Sequence, residues 1–106
     1  MSNQFTVLWS DESKADLNDI YDEYVYYSIE YAENLIDTIL SREKQLATFP
    51  FSGSYQNLKR LDKKYRYLVE GNFKIVYHVL ENEFIVYVNT IFDTRRNPSL
   101  LERNLR

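Results

Sequence analysis

Near the end of the chain, the eight residues Phe73-Lys-Ile-Val-Tyr-His-Val-Leu80 and the nine from Phe84 to Phe92 flank the polar tripeptide Glu81-Asn82-Glu83. Runs rich in β-branched and aromatic residues, parted by so short a polar break, predict two long strands joined by a tight turn. Such strands are antiparallel. The second run exits through Asp93-Thr-Arg-Arg-Asn-Pro98, so the hairpin delivers Arg95 and Arg96 together at its end. Paired guanidinium groups address phosphates or carboxylates.

The remaining periodicities build around this hairpin. Tyr65, Tyr67 and Val69 alternate with Arg66 and Leu68 as a further strand, turned into Phe73 by Glu70-Gly71-Asn72. Phe5, Val7 and Trp9 alternate in a short opening strand, which must pair at a sheet edge or beside the last strand. Ser10 is a candidate N-cap with Asp11 and Glu12 in the first turn, and Leu17, Ile20, Tyr21 and Tyr24 recur at helical spacing to about residue 27. Ser28 is a second cap, and Ala32, Leu35, Ile36, Ile39, Leu46 and Phe49 mark a second helix that Pro50 stops. A loop is expected around Ser52-Gly53-Ser54, then a basic connector from Leu58 to Lys64. Residues 98–106 form either one helical turn or a loose tail. The expected class is α+β in one domain spanning 1–106: a strand, a helical hairpin and a three-stranded antiparallel meander, with the helices packed on one sheet face.

Two helices cover only one face of the sheet. On the other, Lys74, Val76, His78 and Leu80 share a side of their strand. Val76 and Leu80 are expected to be exposed there with aromatic neighbours among Lys74, His78 and Arg66, a mixed apolar and basic surface suited to docking. His78 is either structural or, by its unperturbed pKa, a candidate base. Arg95 and Arg96 either face a partner or bond a carboxylate of the fold, Asp93 being the adjacent choice. Lys59, Arg60, Lys63, Lys64 and Arg66 are either a solvated connector or the rim of a groove.

Composition narrows the chemistry. The 106 residues contain no cysteine and one histidine, which excludes disulfides and thiolate catalysis and argues against a zinc site. Ten tyrosines, six phenylalanines and one tryptophan suit a half-buried sheet or a protein-binding surface. No leader-like opening and no apolar run of ~20 residues is visible, so a soluble cytoplasmic protein without cofactor or metal is expected. The net charge of −3 conceals an asymmetry. Residues 1–50 carry three basic residues against ten acids, a balance of −7, and residues 51–106 carry ten against six, a balance of +4. An acidic total weakens a nucleic-acid-binding reading.

The order and spacing of several short motifs together resemble the RelE/ParE superfamily of toxins from bacterial type II toxin–antitoxin pairs. They are Val7-Leu-Trp-Ser10 with Ala15-Asp-Leu17 and Ile20, Leu46 to Pro50 with Gly53, Arg60-Leu61, Tyr65 to Val69, Phe73-Lys-Ile-Val-Tyr77 and Asp93-Thr-Arg-Arg-Asn-Pro98. The resemblance covers nearly the whole chain. It implies a growth-inhibiting toxin, of the kind tied to plasmid stabilization, neutralised by a small antitoxin that wraps as a helix plus an extended segment. The antitoxin contacts would fall on Arg66, Lys74, Val76, His78, Leu80, Arg95 and Arg96. RelE-like members cut mRNA in the ribosomal A site, whereas ParE-like members inhibit DNA gyrase. Were the chain RelE-like, the resemblance would make Arg66, Lys74, His78, Arg95 and Arg96 the catalytic candidates of a metal-independent endoribonuclease. This sequence departs from that pattern: Leu68 stands where the middle strand would carry a second cation, Thr94 where an arginine would follow the last strand, and Leu100 and Leu101 where a tyrosine would stand. Binding of a target such as gyrase is therefore favoured, with ribosome-dependent mRNA cleavage and a non-toxic adaptor of toxin ancestry as alternatives.

Overall fold

Strand β1 (Thr6–Trp9) leads directly into α1 (Asp11–Val25). Ser10 is the junction: its side chain accepts from the Ser13 N–H at 3.0 Å and its hydroxyl donates to the Asn89 carbonyl at 2.7 Å. The cap thus starts the helix and pins it to the far end of the chain. The computed structural model describes residues 4–56 and 64–105. Helix α1 ends two residues before the expected position, as the Tyr27 and Ser28 N–H groups both return to the Tyr24 carbonyl. Ser28 then caps α2 (Ile29–Thr48) through the Tyr31 N–H at 3.1 Å.

Strands β2 (Ser54–Tyr55), β3 (Tyr65–Glu70), β4 (Phe73–Leu80) and β5 (Ile85–Asp93) complete a five-stranded sheet in the order β1-β5-β4-β3-β2. The meander β3-β4-β5 is antiparallel, and β1 runs parallel to β5 at the edge. Strand β2, two residues long, was not expected within the loop after Pro50. Gly71 and Asn72 make a two-residue hairpin loop, with Gly71 at a φ of 58° that a β-carbon disfavours. The turn between β4 and β5 is a short 3-10 helix, Glu81–Glu83, closed by Phe84 in the left-handed region at φ 54°. Packing of its ring on Phe5, centroids 5.3 Å apart, and acceptance of the Thr6 N–H by its carbonyl hold this conformation.

Helices α1 and α2 pack on one face, where Ile20, Ile39, Leu46, Leu68, Ile75, Tyr77, Val86 and Val88 form the main core. Asp16 bolts α1 to the sheet by accepting from the Thr90 hydroxyl at 2.6 Å and the Ile91 N–H at 2.8 Å. Arg42 of α2 reaches Glu70 at 3.0 Å, tying the second helix to the β3–β4 turn.

The opposite face is not left open. Residues Ser99–Asn104 form α3, and Leu101 and Leu105 bury against Tyr65, Val76 and Phe92 as a second apolar cluster. The expected exposure of Val76 is overturned: it is 0% exposed. Leu100 and Leu101 supply the cover, and the Tyr65 hydroxyl fixes its end by donating to the Leu105 carbonyl at 3.1 Å. The C-terminal segment is thus a docked helix, and Leu80, opposite Ile85, is half-buried.

Candidate functional site

Strand alternation and register decide which candidates share a surface. Lys74, Val76, His78 and Leu80 lie on the α3 side of β4, with Val69, Tyr67 and Tyr65 of β3 opposite the first three in turn. Arg66 does not join them. It is opposite Tyr77, whose side chain belongs to the helix-side core, so Arg66 lies on the other face. Leu68, two residues on, is likewise buried in that core. The expected grouping of Arg66 with Lys74 and His78 is therefore corrected: a one-residue step along a strand reverses the side chain.

The surroundings of Arg66 make it an architectural group. Its guanidinium donates to the carbonyls of Gly53 at 2.9 Å and Phe51 at 3.1 Å. Its central carbon lies 4.1 Å from the Tyr55 ring centre and 5.3 Å from that of Phe51, both cation–π contacts. Behind it, the buried Tyr77 hydroxyl accepts the Gly53 N–H at 2.9 Å. Burial pushes the Tyr77 phenol up, while that N–H, Arg66 and Ser52 pull the other way. Gly53 is required here because a β-carbon would lie 2.5 Å from the Tyr77 hydroxyl oxygen.

On the α3 face, His78 sits between two tyrosine rings, 5.6 Å from Tyr65 and 5.5 Å from Tyr87. Its Nδ1 is 2.9 Å from Asn89 Oδ1, an acceptor, so Nδ1–H is the donor in this contact. Asn89 reaches it because the β4–β5 register shifts between Val76 and Tyr77, where Thr90 and Val88 are the successive partners and Asn89 is the extra residue. The orienting group is an amide, which contributes no charge. Lys74 lies over the Tyr67 ring, 4.1 Å from its centre, and donates to Gln56 at 3.1 Å. Four residues of strand separate Lys74 from His78 by about 13 Å. Val76 stands between them, beneath the leucines of α3.

The exit arginines differ from each other. Arg95 is locked to Asp93 through two bonds, Nε to Oδ1 at 2.9 Å and a terminal nitrogen to Oδ2 at 2.6 Å, with Glu23 of α1 at 3.6 Å. This fork holds the Asp93 carboxyl below the usual range and raises the Arg95 guanidinium. Arg96 is exposed, uses its N–H on the Asp93 carbonyl, and borders a shallow cavity with Asp16, Asp19, Glu23 and Asp93.

Of the candidates, Lys74 and His78 share the α3 face without meeting, Arg66 and Arg95 serve the fold, and Arg96 is solvent-facing. The connector Leu58 to Asp62 with Lys63, and with it Arg60-Leu61, lies outside the described residues. Lys64 is described, with its ammonium 5.1 Å from the Tyr65 ring centre. Sequence reasoning missed Asn89 and Asp16, for neither a register shift nor a helix-to-strand bond has a local pattern. Among the described residues no group of three or more His, Cys, Asp or Glu is placed to hold a metal. No helix among them is long and apolar enough to cross a membrane.

Comparisons with known proteins agree with this architecture. No curated protein sequence matches the chain. The solved chromosomal ParDE toxin–antitoxin system from P. aeruginosa is similar in fold, with a TM-score of 0.71 at 22% identity over 87% of this chain and 98% of that one. The toxin–antitoxin complex RelBE2 from Mycobacterium tuberculosis is also similar, with a TM-score of 0.64 at 12% identity over 85% of this chain and 98% of that one. The family model for the ParE toxin of the type II toxin–antitoxin system parDE matches residues 7–98. A strand, a helical hairpin and a meander in this order, matched by that model over most of the length, make the chain a member of the ParE toxin family within the RelE/ParE superfamily.

Proposed function

We propose that the protein is a toxin that acts by binding its target, DNA gyrase, rather than by cleaving RNA, and that a small antitoxin neutralises it. One observation carries the choice: among the described residues, the cations that cleavage would need do not converge. Activating a 2′-hydroxyl and stabilising the charge on phosphorus require a base and cations within a few ångströms of one reacting centre. Here Lys74 and His78 are about 13 Å apart along β4. Val76 lies between them under α3, Arg66 is on the reverse face, and Arg95 is neutralised by Asp93.

The antitoxin is an acidic segment that reaches Lys74, Arg96 and the exposed edge of the His78–Tyr87 stack, with an apolar part against Leu80 and Leu100. The relatives' assembly as toxin–antitoxin complexes supports such a partner.

The test pairs two assays on the full chain. Supercoiling by purified gyrase falls with added protein and recovers when the antitoxin is supplied. Primer extension on message translated in a cell-free extract shows no codon-phased cuts. Undiminished supercoiling alongside phased cuts reverses the assignment.

A further inference from the structure

Where α1 gives way to α2, the molecule exposes large side chains that no core requires. Tyr26 is 87% exposed, Tyr27 81%, Ile29 60% and Tyr31 56%. The Tyr26 and Tyr27 rings meet edge to face at 5.7 Å, and Tyr31 leans on Tyr24 at 5.4 Å, so the patch presents ordered aromatic faces. Rigid, amphipathic tyrosines concentrate at protein contacts, and a contiguous apolar patch with a polar rim marks such a site.

The rim has one sign. Residues 11–37 hold nine acids and a single base, Lys14, and Asp22, Glu30 and Glu33 beside the patch are exposed. Arg95, the cation paired with Glu23 nearby, is already held by Asp93. An acid-rimmed surface repels RNA phosphates and attracts a cationic protein surface. A protein that handles DNA carries such a surface, because it must neutralise phosphates to bind. The antitoxin proposed above addresses Lys74 and the His78–Tyr87 edge on the α3 side of the sheet, and Arg96 at the exit turn, whereas this tip lies at the junction of α1 and α2.

We propose that the tip of the helical hairpin, Tyr26, Tyr27, Ile29 and Tyr31 with their acidic rim, docks on a cationic, DNA-binding surface of the target protein. This rests on the gyrase reading, and it names the toxin surface and the chemistry of the target surface.

The test compares the full chain with two variants, Tyr26→Ser/Tyr27→Ser and Asp22→Lys/Glu33→Lys. All four positions are exposed, so both variants keep the fold and the antitoxin complex. The concentration that half-inhibits gyrase supercoiling is expected to rise about tenfold or more in each, as for loss of an interface hot spot. An unchanged half-inhibition overturns the docking surface and leaves the gyrase reading standing. If the unmodified chain does not inhibit gyrase, that reading falls, and a second measurement decides the tip. Amide chemical shifts are then mapped against oligolysine as a stand-in for a cationic surface. Salt-sensitive shifts confined to residues 22–33 support the proposal, and shifts spread evenly along α1 or absent altogether overturn it.

Discussion

Replacing Gly53 by alanine tests the contact that organises the Pro50–β2 corner. The added β-carbon would lie 2.5 Å from the Tyr77 hydroxyl oxygen, 2.8 Å from the Tyr67 carbonyl oxygen and 2.9 Å from Tyr77 Cε1. The Tyr77 ring is fully buried and the Tyr67 carbonyl belongs to the sheet, so neither has an easy retreat. Overpacking of this kind costs about 1–3 kcal/mol, and a buried hydroxyl parted from its Gly53 donor adds about 1–3 kcal/mol. A combined loss of ~3 kcal/mol, with a urea slope of about 1–3 kcal/mol per molar, lowers the unfolding midpoint by roughly 1–3 M. Urea titration followed by far-UV circular dichroism reads it. In a Tyr77→Phe background the nearest obstructing atom is gone, so Gly53→Ala costs about 1 kcal/mol less there, and the double variant loses less than the sum of the two single losses. A loss below ~0.5 kcal/mol, or equal losses in the two backgrounds, refutes the reasoning.

Leu101→Ala removes the centre of the α3 contact and destabilises by about 2–4 kcal/mol in the same titration. Asp16→Ala leaves the buried Thr90 hydroxyl and the Ile91 N–H without their acceptor, for a loss of about 1–3 kcal/mol together with faster hydrogen exchange at Ile91. Because Arg95 lowers the folded-state pKa of Asp93, this carboxylate stabilises the protein above its unfolded value of about 3.9, and the gain is lost as pH falls through the lower folded value. The stability gap between the unmodified chain and Asp93→Asn, measured by thermal melts, therefore closes from pH 7 towards pH 2–3 (about the lower end of carboxylate titration). Lys74→Glu/Arg96→Glu weakens antitoxin binding by about tenfold or more in calorimetry if those cations face an acidic segment.

Much of the fold was legible because each main element carries its own period. Ser10 and Ser28 both cap the helices they were expected to cap, and the meander from Tyr65 to Asp93 follows from strand runs divided by short polar turns. The face opposite the helices was misjudged for a definite reason. Residues Ser99–Asn104 are too few to display an amphipathic stripe, so the helix that hides Val76 left little trace. The grouping of Arg66 with Lys74 failed on parity, since only the pairing of Arg66 with Tyr77 reveals which way the guanidinium turns. Arg95 could be read either way from its neighbours, and the fork with Asp93 shows it spent on the exit turn itself. His78 looked isolated because its partner Asn89 comes from the next strand through a register shift.

The parallel pairing of β1 with β5 has a consequence for biosynthesis. The first strand emerges from the ribosome almost eighty residues ahead of its hydrogen-bonding partner, with Val7 awaiting Val86. Until that late segment is released, Asp16 has no acceptor role and the helical layer has no finished sheet to rest on. Contacts so distant in sequence fold slowly and close the structure last. A nascent chain therefore cannot complete its sheet, or seat the helical layer on it, until this closing strand is free.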